Sequence, residues 1–124
     1  MLVRRVRAFR EGDGPRWQAI ATEIEACSES LRTALEAGAR DQALDAVRAG
    51  AAAMALLGEK AGAGIITAEL ALACALAASA GAAGKPSGAG GGDCAIVLAF
   101  GDEARDRAEA ALRLHFRVLR VAPA

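Results

Sequence analysis

Aromatic side chains are nearly missing from this chain. Its 124 residues contain three phenylalanines, one tryptophan and no tyrosine. A core must therefore be built from small aliphatic groups, and 34 residues are alanine. Such a core buries less area per residue, at about 25 cal/mol per Å², and requires close helix packing. Net charge is also missing, with fifteen basic residues against fifteen acidic ones. A generic nucleic-acid binder shows a basic excess or stripe, so that class is set aside. His115 is the single histidine, which excludes a multi-histidine metal site. Cys27, Cys74 and Cys94 form no CxxC pair and read as reduced thiols of a cytoplasmic protein. No apolar run reaches the roughly 20 residues of a membrane span; the longest uncharged run is 70–84. The N-terminal apolar run is too short for a signal peptide.

What is present is mostly helical pattern. Leu2, Val6 and Phe9 share a face of a short helix with Arg4, Arg5, Arg7 and Arg10 around it. Asp13-Gly14-Pro15 is a helix start. Trp17, Ile20, Ile24, Cys27, Leu31 and Leu35 then recur at helical spacing up to a stop at Gly38. Asp41 is expected to cap the next helix, with Leu44, Val47, Ala51, Met54 and Leu57 inward. Thr67 is expected to cap a further helix through Leu70, Cys74, Ala77 and Ala80. Short connections imply antiparallel neighbours.

The pattern changes at Gly84. Residues 84–93 hold five glycines and read as a loop that leaves a helix and opens a strand over 94–100. A helix follows Gly101-Asp102, with Ala104, Ala108, Ala111, Leu112 and His115 on one side, and 116–121 reads as a second strand. Strand 94–100 is apolar on both faces, so both want cover. Two strands joined through a helix would pair in parallel, or leave room for a missing strand. The fold class is thus α+β, an antiparallel helical layer packed on a small, incomplete sheet. One domain, residues 1–124, divides into a helical region over residues 1–83, a glycine-rich loop over 84–93 and a β-α-β region over 94–121.

Ser87-Gly88-Ala89-Gly90-Gly91-Gly92-Asp93-Cys94 is the one constellation with clear chemistry. Glycines let successive amides converge on an anion without Cβ interference, and Lys85 adds a full charge. The dinucleotide fingerprint must leave a strand and open a helix, so it fails on context. A Walker loop fails because no Lys-Ser/Thr pair follows the glycines. The bland alternative is a tight connection. A helix C-terminus directed at the loop could not aid phosphate binding, which leaves loop amides and Lys85 to do so.

The string KPSGAGGGDCAIVLAF resembles the third conserved motif of the GHMP kinases, and within them looks most like the phosphomevalonate kinases. LRTALEAG and ALDAVRAGAAAMALLG upstream are similar to the C-terminal domain of that superfamily. The resemblance implies a C-terminal, substrate-side domain of an enzyme that phosphorylates 5-phosphomevalonate to 5-diphosphomevalonate with ATP and Mg²⁺ in isoprenoid synthesis. It implies phosphate or substrate binding by Lys85, Ser87, Gly88, Ala89, Gly90, Gly91, Gly92 and Asp93, with Asp93 either bracing the loop or facing substrate or Mg²⁺. No catalytic residue and no metal ligand falls on this chain. The PxGLGSSAA-type ATP loop of such kinases is absent, as is the strand that normally precedes the first helices. The expectation is an isolated chain that needs no cofactor of its own and is inactive. Its partners would be a small phosphorylated substrate and an N-terminal kinase domain in cis or trans, with no nucleic acid and no membrane. A homo-oligomer stays open. So do a different GHMP substrate, mevalonate or a sugar, and a non-catalytic interaction module with a relic loop.

Overall fold

The computed structural model describes residues 2–87 and 94–121. Its elements in chain order are α1 (Leu2–Gly12), α2 (Gly14–Ala37), α3 (Arg40–Ala61), α4 (Ala68–Ser79), β1 (Ala83–Pro86), β2 (Ala95–Leu98) and α5 (Asp102–Arg113). Asp13 alone separates α1 from α2. Its N–H donates to Phe9 O at 2.8 Å, while its carboxylate accepts from the Arg16 N–H at 3.2 Å. One residue thus closes one helix and caps the next. Arg10 stacks over the Trp17 ring at 4.7 Å across this junction.

Gly38 and Gly62 end α2 and α3 in the left-handed conformation, with φ of 68° and 63°. Alanine or any larger residue would be strained there. Thr67 caps α4 as expected, its hydroxyl accepting from the Leu70 N–H at 3.2 Å. Asp41 does not cap α3. The cap position is Ala39, without a side-chain bond, and Asp41 lies in the first turn, where its charge still suits the helix dipole.

The long pair α2 and α3 packs as expected, with small residues at the seam. Ile20, Cys27 and Ala34 are buried on α2; Ala43, Leu44, Ala46, Val47, Gly50 and Ala53 on α3. Leu35, expected inward, is 48% exposed, and Ala34 takes its place. A helix of 24 residues drifts in phase along a fixed stripe, and the close approach at this end favours the methyl group.

β1 and β2 pair antiparallel, Ala83 with Leu98, Gly84 with Val97, Lys85 with Ile96 and Pro86 with Ala95. This corrects three expectations. The loop does not leave a helix directly: β1 intervenes, so the C-terminus of α4 is a strand's length away. The pairing is antiparallel, within a hairpin, and does not run through α5. Residues 116–121 form no strand. The Arg120 guanidinium instead reaches back to α5, donating to Glu109 at 2.6 Å. With Arg113 at 2.9 Å, it holds the Glu109 carboxyl below the usual carboxylate range.

The hairpin lies between two helical layers. Ala83 and Leu98 join Leu31, Leu44, Val47 and Phe100 on the α2–α3 side. Ala82, Val97 and Ala99 join Ala77, Ala80 and Ala108 on the α4–α5 side. The α+β class and the incompleteness of the sheet therefore stand.

Gly58 tests the close packing below the α3 terminus. A Cβ there would lie 2.8 Å from the Ala63 carbonyl oxygen and 3.2 Å from Ile65 Cβ. Neither can retreat without moving the chain. Gly58→Val should lower unfolding free energy by about 1–3 kcal/mol, read by urea denaturation, despite the better helix propensity of valine over glycine.

Candidate functional site

The described portion of the candidate site is the base of the hairpin turn. The Ser87 N–H donates to Cys94 O at 3.0 Å, closing the ladder on the segment 88–93. Gly88, Ala89, Gly90, Gly91, Gly92 and Asp93 lie outside the described residues. Of the expected site residues, Lys85 and Ser87 are therefore the ones the structure positions.

Their placement follows from the strand. Side chains alternate across a sheet with period two, so Ala83, Lys85 and Ser87 share the face toward α2 and α3, opposite Leu98, Ile96 and Cys94 of the β2 side. Gly84 and Pro86 take the other face. Pro86 is fully buried. A Cβ on Gly84 would lie 3.3 Å from Cys74 Cα and 3.5 Å from both Cys74 Sγ and Val97 Cγ2. Only glycine lets α4 approach β1 this closely. The turn is thereby held from the α4 side by backbone contact, and from the α2–α3 side by the Lys85 stem.

Lys85 is half-buried and lines a narrow crevice between α2 and α3 with Ile24, Cys27, Ser28, Leu31, Val47 and Met54. Among the described residues it makes no ion pair. An ammonium so placed is available to an anion from outside these residues. Its field also acts on Cys27: burial pushes that thiol up, as does the hydrogen bond to Glu23, and the Lys85 charge opposes both. Burial likewise pushes the Cys74 thiol up. Sequence reasoning does not link Lys85 with Cys27. The alternation that links them requires β1, and AGKP carries no strand signal of its own.

Two arginines fix the entry to β1. Arg48 of α3 donates to Ala82 O at 3.1 Å, and Arg107 of α5 donates to Ala80 O at 3.3 Å. They grip the bend at Gly81, where φ is 82°, from opposite layers. Neither stands out in the sequence, since a lone arginine on a helix face reads as solvated charge.

Among the described residues no group of carboxylate, thiol or imidazole side chains converges to hold a metal ion. What the arrangement does is hold Ser87 and Cys94, the two ends of segment 88–93, on a rigid base, with one half-buried cation and one hydroxyl on the same face.

A family model described as "GHMP kinases C terminal" matches residues 31–118. A phosphomevalonate kinase from Streptomyces sp. (strain CL190) is 42% identical over 80 residues, which is 64% of this chain and 21% of that protein. The crystal structure of a Lin0012 protein from Listeria innocua superposes with a TM-score of 0.83 at 27% identity, covering 89% of this chain and 31% of that one. The chain thus spans less than a third of the length of either.

The thiols offer a check on the geometry. Cys94 is exposed at the turn base, whereas Cys27 is buried and Cys74 half-buried, and burial pushes both of these thiols up. A raised pKa leaves less thiolate at any given pH. Iodoacetamide at about pH 8, near the ordinary thiol pKa, should label Cys94 first in the folded chain, with Cys27 and Cys74 following only on denaturation. Mass mapping that finds Cys27 first would contradict the packing of α2 against α3 and Lys85.

Proposed function

Because the chain belongs to the GHMP kinase C-terminal family, we propose that it is the substrate-side domain of a phosphomevalonate kinase-like enzyme. The complete enzyme would transfer a phosphoryl group from ATP to 5-phosphomevalonate, giving ADP and 5-diphosphomevalonate in isoprenoid synthesis. The observation that carries this reading is the closed base on either side of 88–93: a hairpin whose last bond, Ser87 to Cys94, is formed and whose strands are gripped by both helical layers. The 42% identity to a phosphomevalonate kinase supports the choice of substrate.

Phosphoryl transfer depends on positioning and charge stabilisation more than on covalent chemistry from the protein. In this reading the Lys85 ammonium and the Ser87 hydroxyl bind phosphate oxygens on the α2–α3 side of the turn. Backbone N–H groups of 88–92 orient the same group, and Asp93 braces the loop or faces substrate or Mg²⁺. ATP supplies the transferred phosphoryl group, and GHMP kinases generally use it with Mg²⁺. The described residues offer Mg²⁺ no cage of their own. The partner domain, in cis or trans, would carry the ATP cradle. A cytoplasmic location fits three free thiols, and no helix among the described residues is long and apolar enough to cross a membrane.

Two measurements test this. Incubated alone with 5-phosphomevalonate, ATP and Mg²⁺, the chain should release no ADP. Turnover at an ordinary kinase rate of about 1–100 per second would remove the need for a partner domain.

In the completed enzyme, Gly90→Val should lower kcat by about 100-fold or more, the scale of losing one oriented donor, with little change in unfolding midpoint. Lys85→Ala should raise KM for the phosphorylated substrate and flatten its salt dependence, since one screened charge is gone. Cys94→Ala should leave turnover nearly unchanged. Loss of activity in Cys94→Ala with Gly90→Val intact would replace the phosphate cradle with a thiol mechanism.

A further inference from the structure

Gly81 turns the chain out of α4 with φ of 82°. Its N–H donates to Ala78 O at 3.1 Å, and the Ala82 N–H donates to Ala77 O at 2.9 Å. This is the Schellman pattern. It uses the N–H groups of the bend and leaves the carbonyls of Ala80 and Ala82 to other donors. Arginines take both, and in the same manner. Arg48 donates from Nη2 to Ala82 O at 3.1 Å, while its Nη1 rests on Asp45, one turn earlier in α3, at 3.3 Å. Arg107 donates from Nη2 to Ala80 O at 3.3 Å, while its Nη1 faces Glu103, one turn earlier in α5, at 4.0 Å. The same Arg107 nitrogen lies 3.7 Å from where a Cβ on Gly81 would stand. Each carboxylate aims its guanidinium, and each guanidinium holds one side of the bend.

These contacts are poorly placed to hold the fold together. The two arginine side chains are 46% and 59% exposed, and charges so exposed contribute modestly to stability. They are well placed to set a direction. Lys85 and Ser87 follow the bend on one extended segment, which advances about 3.3 Å per residue. A tilt of about 10° at Ala82 would carry Ser87 through about 3 Å. A group that orients a reacting phosphate tolerates about 0.5 Å. We propose that Arg48 and Arg107 are positioning residues for phosphoryl transfer. Acting through the strand, each from its own helical layer, they fix the angle at which Lys85 and Ser87 are presented to the phosphorylated substrate. This rests on the kinase reading given above.

Two measurements test it. In the full chain, hydrogen exchange at the Lys85 and Ser87 amides is compared between wild type, Arg48→Met and Arg107→Met. Both amides should exchange about tenfold faster in each variant, with the unfolding midpoint little changed. In the complete enzyme, Arg48→Met should lower kcat/KM for 5-phosphomevalonate by about 10- to 100-fold, with a higher KM for that substrate and an unaltered KM for ATP. Arg48→Lys keeps a charged donor and should recover part of the loss. A general loss of folded protein would instead lower kcat and leave both KM values as they are. Unchanged exchange at both amides in both variants would overturn the proposal. So would faster exchange with a wild-type kcat/KM for 5-phosphomevalonate. A wild-type enzyme inactive on 5-phosphomevalonate would overturn the kinase reading, and exchange in the full chain would then decide by itself whether the arginines direct the segment.

Discussion

Four residues, Ala83-Gly84-Lys85-Pro86, hold the two helical layers together. β1 is met by α3 on one face and α4 on the other, and both approaches depend on the small residues Ala83 and Gly84. Ala83 is 1% exposed against Leu44 and Val47. Gly84 lets the Cys74 backbone come so near that a Cβ would lie 3.3 Å from its Cα. Larger residues here would separate the layers, and everything carried by the hairpin would move with them. An alanine-rich core gains little from each side chain, so it compensates by bringing backbones close and leaving few voids.

That seam also orients the turn. Arg48 and Arg107 reach the carbonyls of Ala82 and Ala80 from opposite layers, so the bend before β1 is tied to both. Hydrogen bonds from a charged donor are stronger than neutral ones, each about 1.5–3 kcal/mol, and partial exposure here places them at the lower end. They act on direction as much as on stability. The hairpin leaves the bend at a fixed angle, and Ser87 and Cys94 close it. A glycine-rich segment would lose the most conformational freedom on binding an anion; tethering both its ends to a rigid ladder lowers that cost.

The helices were legible because periodicity is local. Spacing alone located α2, α3, α4 and α5, and Thr67 and Gly38 act as their residue types imply. What failed depended on distant partners. AGKP holds a glycine, a lysine and a proline, all poor strand formers; it is a strand because α3, α4 and β2 surround it. FRVLRV at 116–121 has the better strand composition, yet it forms no ladder and Arg120 turns to Glu109 instead. Of the site, the structure positions Lys85 and Ser87, and residues 88–93 lie outside the described ones. The Lys85–Cys27 relation was not legible in the sequence, because it follows from an alternation that begins at the unforeseen strand.

The shift from helix end to hairpin changes the electrostatics expected of the loop. A loop sprung directly from the C-terminus of α4 would sit in the partly negative field of that terminus, to the disadvantage of any phosphate. The field decays within about one turn, and β1 inserts a strand's length between Ser79 and Ser87. Strand dipoles nearly cancel in an antiparallel pair, so the hairpin delivers the turn into a neutral setting. The half-buried Lys85 is a cation on the α2–α3 face, where its charge opposes the burial and the Glu23 contacts that push the Cys27 thiol up. An anion on that face would meet a cation already held in place by the packing of β1 against α2 and α3. The same cation on the open surface would contribute far less.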